Sequence, residues 1–272
     1  LMVFGLASCG GGSGKVSDKD ITVISREEGS GTRDAFTELT GVLQDDVDKT
    51  VDTAEISNST SVVTQSVAGN DAAIGYISLG SLDDTVKAVK VDGVEATVDN
   101  IKSGDYKIQR PFNIVTKGEV KELPADFIKF IMSKDGQKII EDEGYISVNE
   151  NAEAYKASGL KGSITLAGST SVSPVMEVLA DKYKELNSGV TIEIQQTGSG
   201  AGIQSTTEGV CDIGMASREL KDDETSQGLK SEEIALDGIA VIVNKDNGVE
   251  DLSMDQIMKI FTGEITNWAD VK

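Results

Sequence analysis

The stretch Ser25-Arg26-Glu27-Glu28-Gly29-Ser30-Gly31-Thr32-Arg33-Asp34 decides how the rest of the chain is interpreted. It follows the β-branched run 21–24, which is typical of a buried strand, and it precedes residues 35–39, which favour a helix. Its glycines let the backbone approach a ligand, and the first N–H groups of a helix have no partner within it. The helix dipole adds partial positive charge there, so the unit suits an anion. Such a turn can also be no more than a capped helix start.

Four side chains in this stretch supply hydrogen-bond donors. Ser30 and Thr32 carry hydroxyls, and Arg26 and Arg33 carry guanidinium groups that match planar oxyanions. Arg33 falls on the predicted helix, where charged side chains are usually exposed, and we expect it to face solvent.

The same arrangement occurs twice more. A strand at 164–166 leads to the glycine-containing turn 168–171, and a strand at 190–194 leads to the turn 198–202. Each turn precedes a segment that is predicted to be helical. In open α/β sheets, ligands bind at the carboxyl ends of strands, where helix N-termini gather. The three turns therefore predict an α/β protein with an anion site where they meet.

Composition excludes several classes of protein. The 272 residues include no histidine, so Ser-His-Asp and Cys-His catalysis are excluded and the commonest zinc ligand is missing. The two cysteines, Cys9 and Cys211, make neither a disulfide framework nor a four-cysteine metal site. The net charge of −21 argues against nucleic acid. We expect neither an enzyme nor a protein with a metal or cofactor.

The first residues resemble the end of a bacterial export signal. Leu6-Ala7-Ser8-Cys9 is similar to a lipobox, whose cysteine is lipidated, although the charged start of a signal peptide is absent. We expect residues 1–15 to be a leader remnant followed by a flexible Gly-rich tether. Because no apolar run is long enough to span a bilayer, membrane attachment is expected only through a lipid on Cys9.

Several motifs resemble the phosphate-binding protein of bacterial phosphate-uptake ABC transporters, which has a type II periplasmic-binding-protein fold. The resemblance covers nearly all of residues 18–272. It implies a two-lobed extracytoplasmic receptor, periplasmic or lipid-anchored, with phosphate in the cleft between the lobes and a transporter permease as partner. The most specific motifs are SREEGSGT (25–32), ITLAGSTSVSP (164–174), TGSGAG (197–202), DIGMASREL (212–220) and FTGEITNW (261–268).

The order of these motifs is circularly permuted relative to the family. There, a segment like 163–272 comes before one like 25–160, whereas here it follows. The family's two ends lie in one lobe, so a short join is tolerable. A leader-like start ahead of a permuted body suggests an engineered chain, which can be cytoplasmic when expressed. The resemblance places crossover strands at 111–117 and 238–244, with one contiguous lobe at 113–242 and the other split between 16–112 and 243–272.

The resemblance also implies the phosphate ligands. Glu28 resembles an acid that steadies Arg26 rather than touching the ligand. The residues that match the family's contacts are Thr170, Ser171 and Ser199 in one lobe and Arg26, Ser30, Gly31 and Thr32 in the other.

The sequence departs from the family after Ser217. An aspartate that accepts the proton of hydrogen phosphate is expected there, and this chain has Arg218. Such an aspartate rejects sulfate, which has no proton to donate, so its loss puts selectivity in doubt. We predict that Arg218 is one of the ligand-binding residues, and a salt bridge at the surface or between the lobes is its alternative role.

These features predict a monomeric, non-enzymatic receptor for phosphate. A receptor for another tetrahedral oxyanion, such as sulfate, is the alternative. A phosphoester hydrolase that uses Ser30 or Ser171 is disfavoured, because the chain has no histidine.

Overall fold

The computed structural model of the protein describes residues 18–271, so Cys9 and the predicted leader and tether lie outside the described residues. The strands are β1 (Thr22–Arg26), β2 (Leu43–Gln44), β3 (Val47–Asp48), β4 (Glu55–Ser57), β5 (Ala73–Ser78), β6 (Val86–Ala88), β7 (Lys90–Val91), β8 (Gln109–Lys117), β9 (Ile146–Ser147), β10 (Gly162–Gly168), β11 (Val190–Gln196), β12 (Ile213–Ala216), β13 (Leu229–Asn244) and β14 (Asp251–Leu252). The helices are α1 (Gly31–Thr40), α2 (Thr60–Gly69), α3 (Val98–Lys102), α4 (Glu122–Ile131), α5 (Lys134–Asp142), α6 (Ser173–Leu186), α7 (Ser199–Glu208), α8 (Asp222–Thr225) and α9 (Met254–Phe261).

One path of paired strands runs through the molecule, in the order β11-β10-β12-β8-β13-β5-β1-β4. The strands β10, β11 and β12 are parallel to one another, and so are β5, β1 and β4. The long strand β13 joins the two groups, because it pairs with β8 up to residue 238 and with β5 from residue 239. The predicted two-lobed α/β fold is confirmed.

Two main hydrophobic cores lie on either side of this change of partners. One is built around Phe127 and Tyr183, and the other around Phe36, Tyr76 and Phe261. In the second core, the rings of Phe36 and Tyr76 are stacked with centroids 3.9 Å apart. We call residues 109–238 lobe I, and residues 18–108 with 239–271 lobe II.

The change of partners lies earlier on the chain than the boundary expected at 242. Ile239, Val241 and Val243 are fully buried in the core of lobe II, because β13 has already left β8 for β5. The crossover therefore lies at Asp237 and Gly238 on β13. The facing residues on β8, in register with these two, are 109 and 110.

Two distant segments of the chain complete lobe II. Ile21 N donates to Thr266 O at 2.8 Å, and Trp268 N donates to Lys19 O at 3.0 Å. The indole of Trp268 is buried, and its Nε1 donates to Ala72 O at 2.9 Å. These bonds join residues near 20 to residues near 267, so both segments contribute to one lobe.

Most predicted elements are present with altered ends. Helix α1 begins at Gly31, four residues before the predicted start, because Ser30 Oγ accepts a hydrogen bond from Arg33 N and caps it there. The polar and acidic composition of residues 44–60 predicts a loop, and this is wrong: the segment contains the short strands β3 and β4, and β2 ends at its first residue. Strand β4 depends on pairing with β1, which no local pattern reveals. None of the helices within residues 18–271 has the length and apolar character to cross a membrane.

Candidate anion-binding site

The first turns of four helices approach one another between the lobes. In lobe II, α1 and α2 are capped by Ser30 and Ser59. In lobe I, α7 starts after Gly198, whose φ of 88° favours glycine. Just before α6, Ser169 Oγ accepts hydrogen bonds from the backbone N–H groups of Ser171 and Val172. First-turn N–H groups and helix dipoles favour negative charge at such a point.

Four hydroxyl side chains from these helix starts contact one another in a row, which we call the hydroxyl chain. Thr32 Oγ1 lies 2.9 Å from Ser171 Oγ, and Ser171 Oγ lies 3.0 Å from Thr60 Oγ1. Thr60 Oγ1 lies 3.3 Å from Thr170 Oγ1. All four side chains are buried. Because Thr32 and Thr60 belong to lobe II and the other two to lobe I, the hydroxyl chain crosses the cleft.

Arg26 closes one end of the hydroxyl chain. Its Nη2 donates to Thr170 Oγ1 at 3.1 Å, and its Nη1 donates to Thr60 Oγ1 at 3.4 Å. The side chain is 2% exposed, and its Nε and Nη2 each lie 2.8 Å from a carboxylate oxygen of Glu27. The expectation that Glu28 steadies this arginine was wrong, because the turn directs the Glu27 side chain to it.

Arg110 closes the other end. Its Nη1 donates to Thr32 Oγ1 at 2.7 Å and to Ser217 O at 3.2 Å. Its Nε and Nη2 donate to Asp237 Oδ2 at 3.2 and 3.1 Å, and both side chains of this pair are buried. Burial raises the pKa of Asp237 to about 6 against the attraction of Arg110, and burial lowers the pKa of Arg110.

The lobes also meet through backbone at the glycine-rich turns. Gly200 N donates to Gly29 O at 2.9 Å across the cleft. A Cβ on Gly31 would lie 2.4 Å from Ser199 Oγ and 2.7 Å from Ser217 Oγ. Ser217 N in turn donates to Ser199 Oγ at 3.1 Å. The absence of a side chain at Gly31 therefore allows this close approach.

Arg218 is directed away from the hydroxyl chain. Its Nη1 and Nη2 lie 2.8 Å from the carboxylate oxygens of Glu224 in lobe I, and its Nε lies 2.9 Å from Asp34 Oδ2 in lobe II. We predicted that Arg218 contacts the ligand, and this geometry instead favours the alternative role, a salt bridge between the lobes. Arg33, which we expected to face solvent, is instead mostly buried, and its Nε bonds Asp48 Oδ2 at 2.7 Å.

The predicted site residues divide into three groups. Arg26, Thr32, Thr170 and Ser171 meet at the hydroxyl chain, and Gly31 and Ser199 pack together beside it. The third group does not contact the hydroxyl chain: Ser30 is 1% exposed and caps α1, and Arg218 pairs with acidic side chains. The residues that the sequence did not single out as ligands are Thr60, Arg110, Ser217 and Asp237.

The sequence carries only weak signals, or none, that Thr60, Arg110, Ser217 and Asp237 belong to the site. Thr60 lies between Ser59 and Ser61, either of which suits a helix cap, so the local sequence indicates a helix start and not a ligand. Arg110 follows a weakly patterned region, and its contacts come from strands that are far apart in sequence. Within residues 18–271, no group of three or more Asp, Glu or Cys side chains is placed to hold a metal ion.

Known proteins resemble this chain over nearly its whole length. A sequence model described as a PBP superfamily domain matches residues 13–135 and 153–272. The phosphate-binding protein PstS 2 of Streptococcus agalactiae serotype V is 52% identical over 272 residues, covering 98% of this chain and 92% of that protein. PstS 2 of Streptococcus pneumoniae serotype 4 is 48% identical, covering 100% of this chain and 96% of that protein.

A solved structure of a phosphate-binding protein is also similar to this chain. The crystal structure of a phosphate-binding protein of a phosphate ABC transporter from Streptococcus pneumoniae is similar with a TM-score of 0.75 and 48% identity. The similarity covers 93% of this chain and 100% of that one. The two sequence alignments also cover nearly all of this chain and of each PstS 2 protein.

Proposed function

Because the chain belongs to the phosphate-binding proteins of the PBP superfamily, we propose that it binds inorganic phosphate between its lobes as the extracytoplasmic solute-binding component of a phosphate ABC importer. The proposed ligands are Arg26, Ser30, Gly31, Thr32, Thr170, Ser171 and Ser199, together with Thr60. Arg218 is proposed as a bridge between the lobes and not as a ligand.

The hydroxyl chain carries this proposal. Guanidinium groups stand at both of its ends, and a guanidinium donates hydrogen bonds but accepts none. The hydroxyl chain has four hydroxyl protons and three hydroxyl–hydroxyl contacts, and each contact uses one proton. At least one proton therefore has no acceptor among the four hydroxyls. A tetrahedral oxyanion that bridged the lobes would accept these donors. Charge-assisted bonds from Arg26 would add to its affinity.

Sulfate remains the second candidate for a specific reason. The side chains that contact the hydroxyl chain are donors or hydroxyls, and Arg218 stands where the family's aspartate is expected. A hydroxyl can accept the proton of hydrogen phosphate, but it does not repel sulfate as a carboxylate does.

Calorimetric titration of protein stripped of bound anions tests both candidates near neutral pH. We expect phosphate to bind more tightly than sulfate. Comparable affinities would support a general oxyanion receptor, and binding of neither anion would overturn the proposal. A generic phosphoester serves as a control for turnover, and its hydrolysis would contradict a pure binding role.

We propose further that the permuted order is natural. The alignments with the two streptococcal PstS 2 proteins cover nearly all of both chains, which supports a segment order that those proteins share. This favours a naturally permuted branch of the family over an engineered chain. Sequencing of the native gene tests the proposal, since a gene with the segments in the other order would contradict it.

Membrane attachment through Cys9 and a monomeric state are proposed on the sequence alone. Metabolic labelling with palmitate should mark the wild-type protein in its native host but not the C9S variant. Sedimentation of the protein without its first 15 residues should give a mass near that of one chain. Labelling of C9S, or a dimer mass, would contradict these two proposals.

A further inference from the structure

Arg110 uses its donors in more than one direction. Two of its nitrogens donate to a single oxygen of Asp237, so this ion pair leaves Nη1 unused. The Nη1 hydrogens are directed to Thr32 Oγ1 in lobe II and to Ser217 O in lobe I. A buried ion pair needs only the Asp237 contacts, and the two further bonds join Arg110 to both walls of the cleft.

The bond to Thr32 has a fixed direction. Because a guanidinium cannot accept a hydrogen bond, Thr32 Oγ1 must be the acceptor at the 2.7 Å contact. The single hydroxyl proton of Thr32 is then free to point away from Arg110, toward the side on which Ser171 lies at 2.9 Å. The bond from Arg110 therefore leaves the hydroxyl proton of Thr32 available for donation toward the centre of the site.

The position of Arg110 in the fold links this bond to the lobe geometry. Arg110 and Asp237 face each other in register on β8 and β13, where β13 changes its partners. Ser78 of lobe II donates to the other oxygen of Asp237 at 2.9 Å, and the Arg110 Cζ lies 5.2 Å from the ring centre of Phe112 in lobe I. The guanidinium is thus held at the crossover between the lobes.

We propose that Arg110 is a positioning residue of the anion site, which orients the Thr32 hydroxyl as a donor to a bound tetrahedral oxyanion. This inference rests on the proposed function. Arg110 acts through Thr32, so its effect on affinity depends on the presence of that hydroxyl.

A double-mutant cycle on phosphate affinity tests this dependence. The cycle is made in the D237N background, because R110Q alone would leave a buried carboxylate unpaired. In that background, we compare R110Q, T32V and the combination of both by calorimetric titration. We expect R110Q to weaken phosphate binding by at least about tenfold when Thr32 is present, and by less than about threefold in the T32V background. Urea unfolding of each variant monitors the fold.

The outcomes separate this inference from the proposed function. Wild-type protein is titrated first, and a lack of binding to both phosphate and sulfate would overturn the proposed function and this inference with it. Wild-type binding with equal losses from R110Q in both backgrounds would overturn the inference alone, since a purely structural or long-range electrostatic role gives additive effects. Should the neutral pair not fold, R110K replaces R110Q in the wild-type background, and the same dependence on Thr32 is expected.

Discussion

At the residue scale, the backbone of Gly31 leaves no room for a side chain. The built Cβ position lies 3.0 Å from Ser199 Cβ and closer still to two hydroxyl oxygens of lobe I. We expect G31A to hold the lobes apart and to raise the phosphate Kd about 5- to 150-fold, because overpacking of this kind costs about 1–3 kcal/mol. Calorimetric titration measures the loss, and thermal unfolding should show that each lobe keeps its stability.

A matched control for G31A is available at Gly69. This glycine ends α2, and nothing lies within 4 Å of its built Cβ. G69A should bind phosphate like the wild type. Wild-type affinity in G31A, or an equal loss in G69A, would contradict the role assigned to Gly31.

Asp237 gives the molecule a defined dependence of stability on pH. Burial raises its pKa from the ordinary 3.8 to about 6, so between these values the folded protein keeps a proton that the unfolded chain has lost. The contribution of this group to stability therefore falls as pH rises from 3.8 to 6 and is level above. D237N cannot ionise, so its unfolding free energy relative to wild type should increase by about 3 kcal/mol across this range.

Urea unfolding of wild type and D237N at several pH values between 4 and 7 measures this difference. Comparison of the two proteins cancels the carboxylates whose pKa is lowered, such as Asp212, since both proteins contain them. A difference that does not change with pH would show that Asp237 keeps an ordinary pKa in the fold.

At the element scale, the strand–turn–helix units could be predicted because their signals are local. Apolar β-branched runs, glycine-containing turns and helical spacing all fall within short windows, and β1, β10 and α6 follow them. The pairing of β4 with β1 and the change of partners on β13 depend on strands that are distant in sequence. A short stretch of sequence therefore could not predict them. The site follows the same rule: hydroxyls at helix starts were predicted, whereas Arg110 reaches Thr32 from a remote strand.

Arg218 connects α1 of lobe II to α8 of lobe I. Its partner Asp34 is about a quarter exposed, so solvent screens the pair, and such a pair contributes about 1 kcal/mol at most. We expect R218M to raise the phosphate Kd by no more than about fivefold at low salt, and less at high salt. D34N should reproduce most of this effect, because it removes the part of the interaction that crosses the cleft.

The size of the effect decides between the two roles of Arg218. A buried guanidinium that touched phosphate would cost far more on removal, and added salt would hardly change the loss. Calorimetric titration of R218M and D34N at two NaCl concentrations makes the comparison. A loss beyond about a hundredfold in R218M alone would return Arg218 to the set of ligands.

At the scale of the whole molecule, the charge of the protein opposes its proposed ligand. The chain carries a net charge of −21, yet the side chains that contact the hydroxyl chain include two buried arginines. Interactions within the site act over a few ångströms, whereas the field of the surface acids is screened beyond about 10 Å at 0.1 M salt. The global charge should therefore affect the approach of phosphate more than its residence in the site.

This separation predicts an unusual dependence on salt. Added salt weakens the repulsion of an incoming anion, so the association rate constant for phosphate should rise about two- to fivefold between 20 and 200 mM NaCl, while the dissociation rate constant changes little. Stopped-flow mixing with a fluorophore near the cleft measures both. Asp83 lines the groove that reaches Thr60 and Thr170. Neutralisation of Asp83 and its neighbour Asp84 should therefore raise the association rate constant more than neutralisation of the exposed pair Asp45 and Asp46. An association rate that falls with salt would instead mean that the arginines attract phosphate over a longer range than the surface acids repel it.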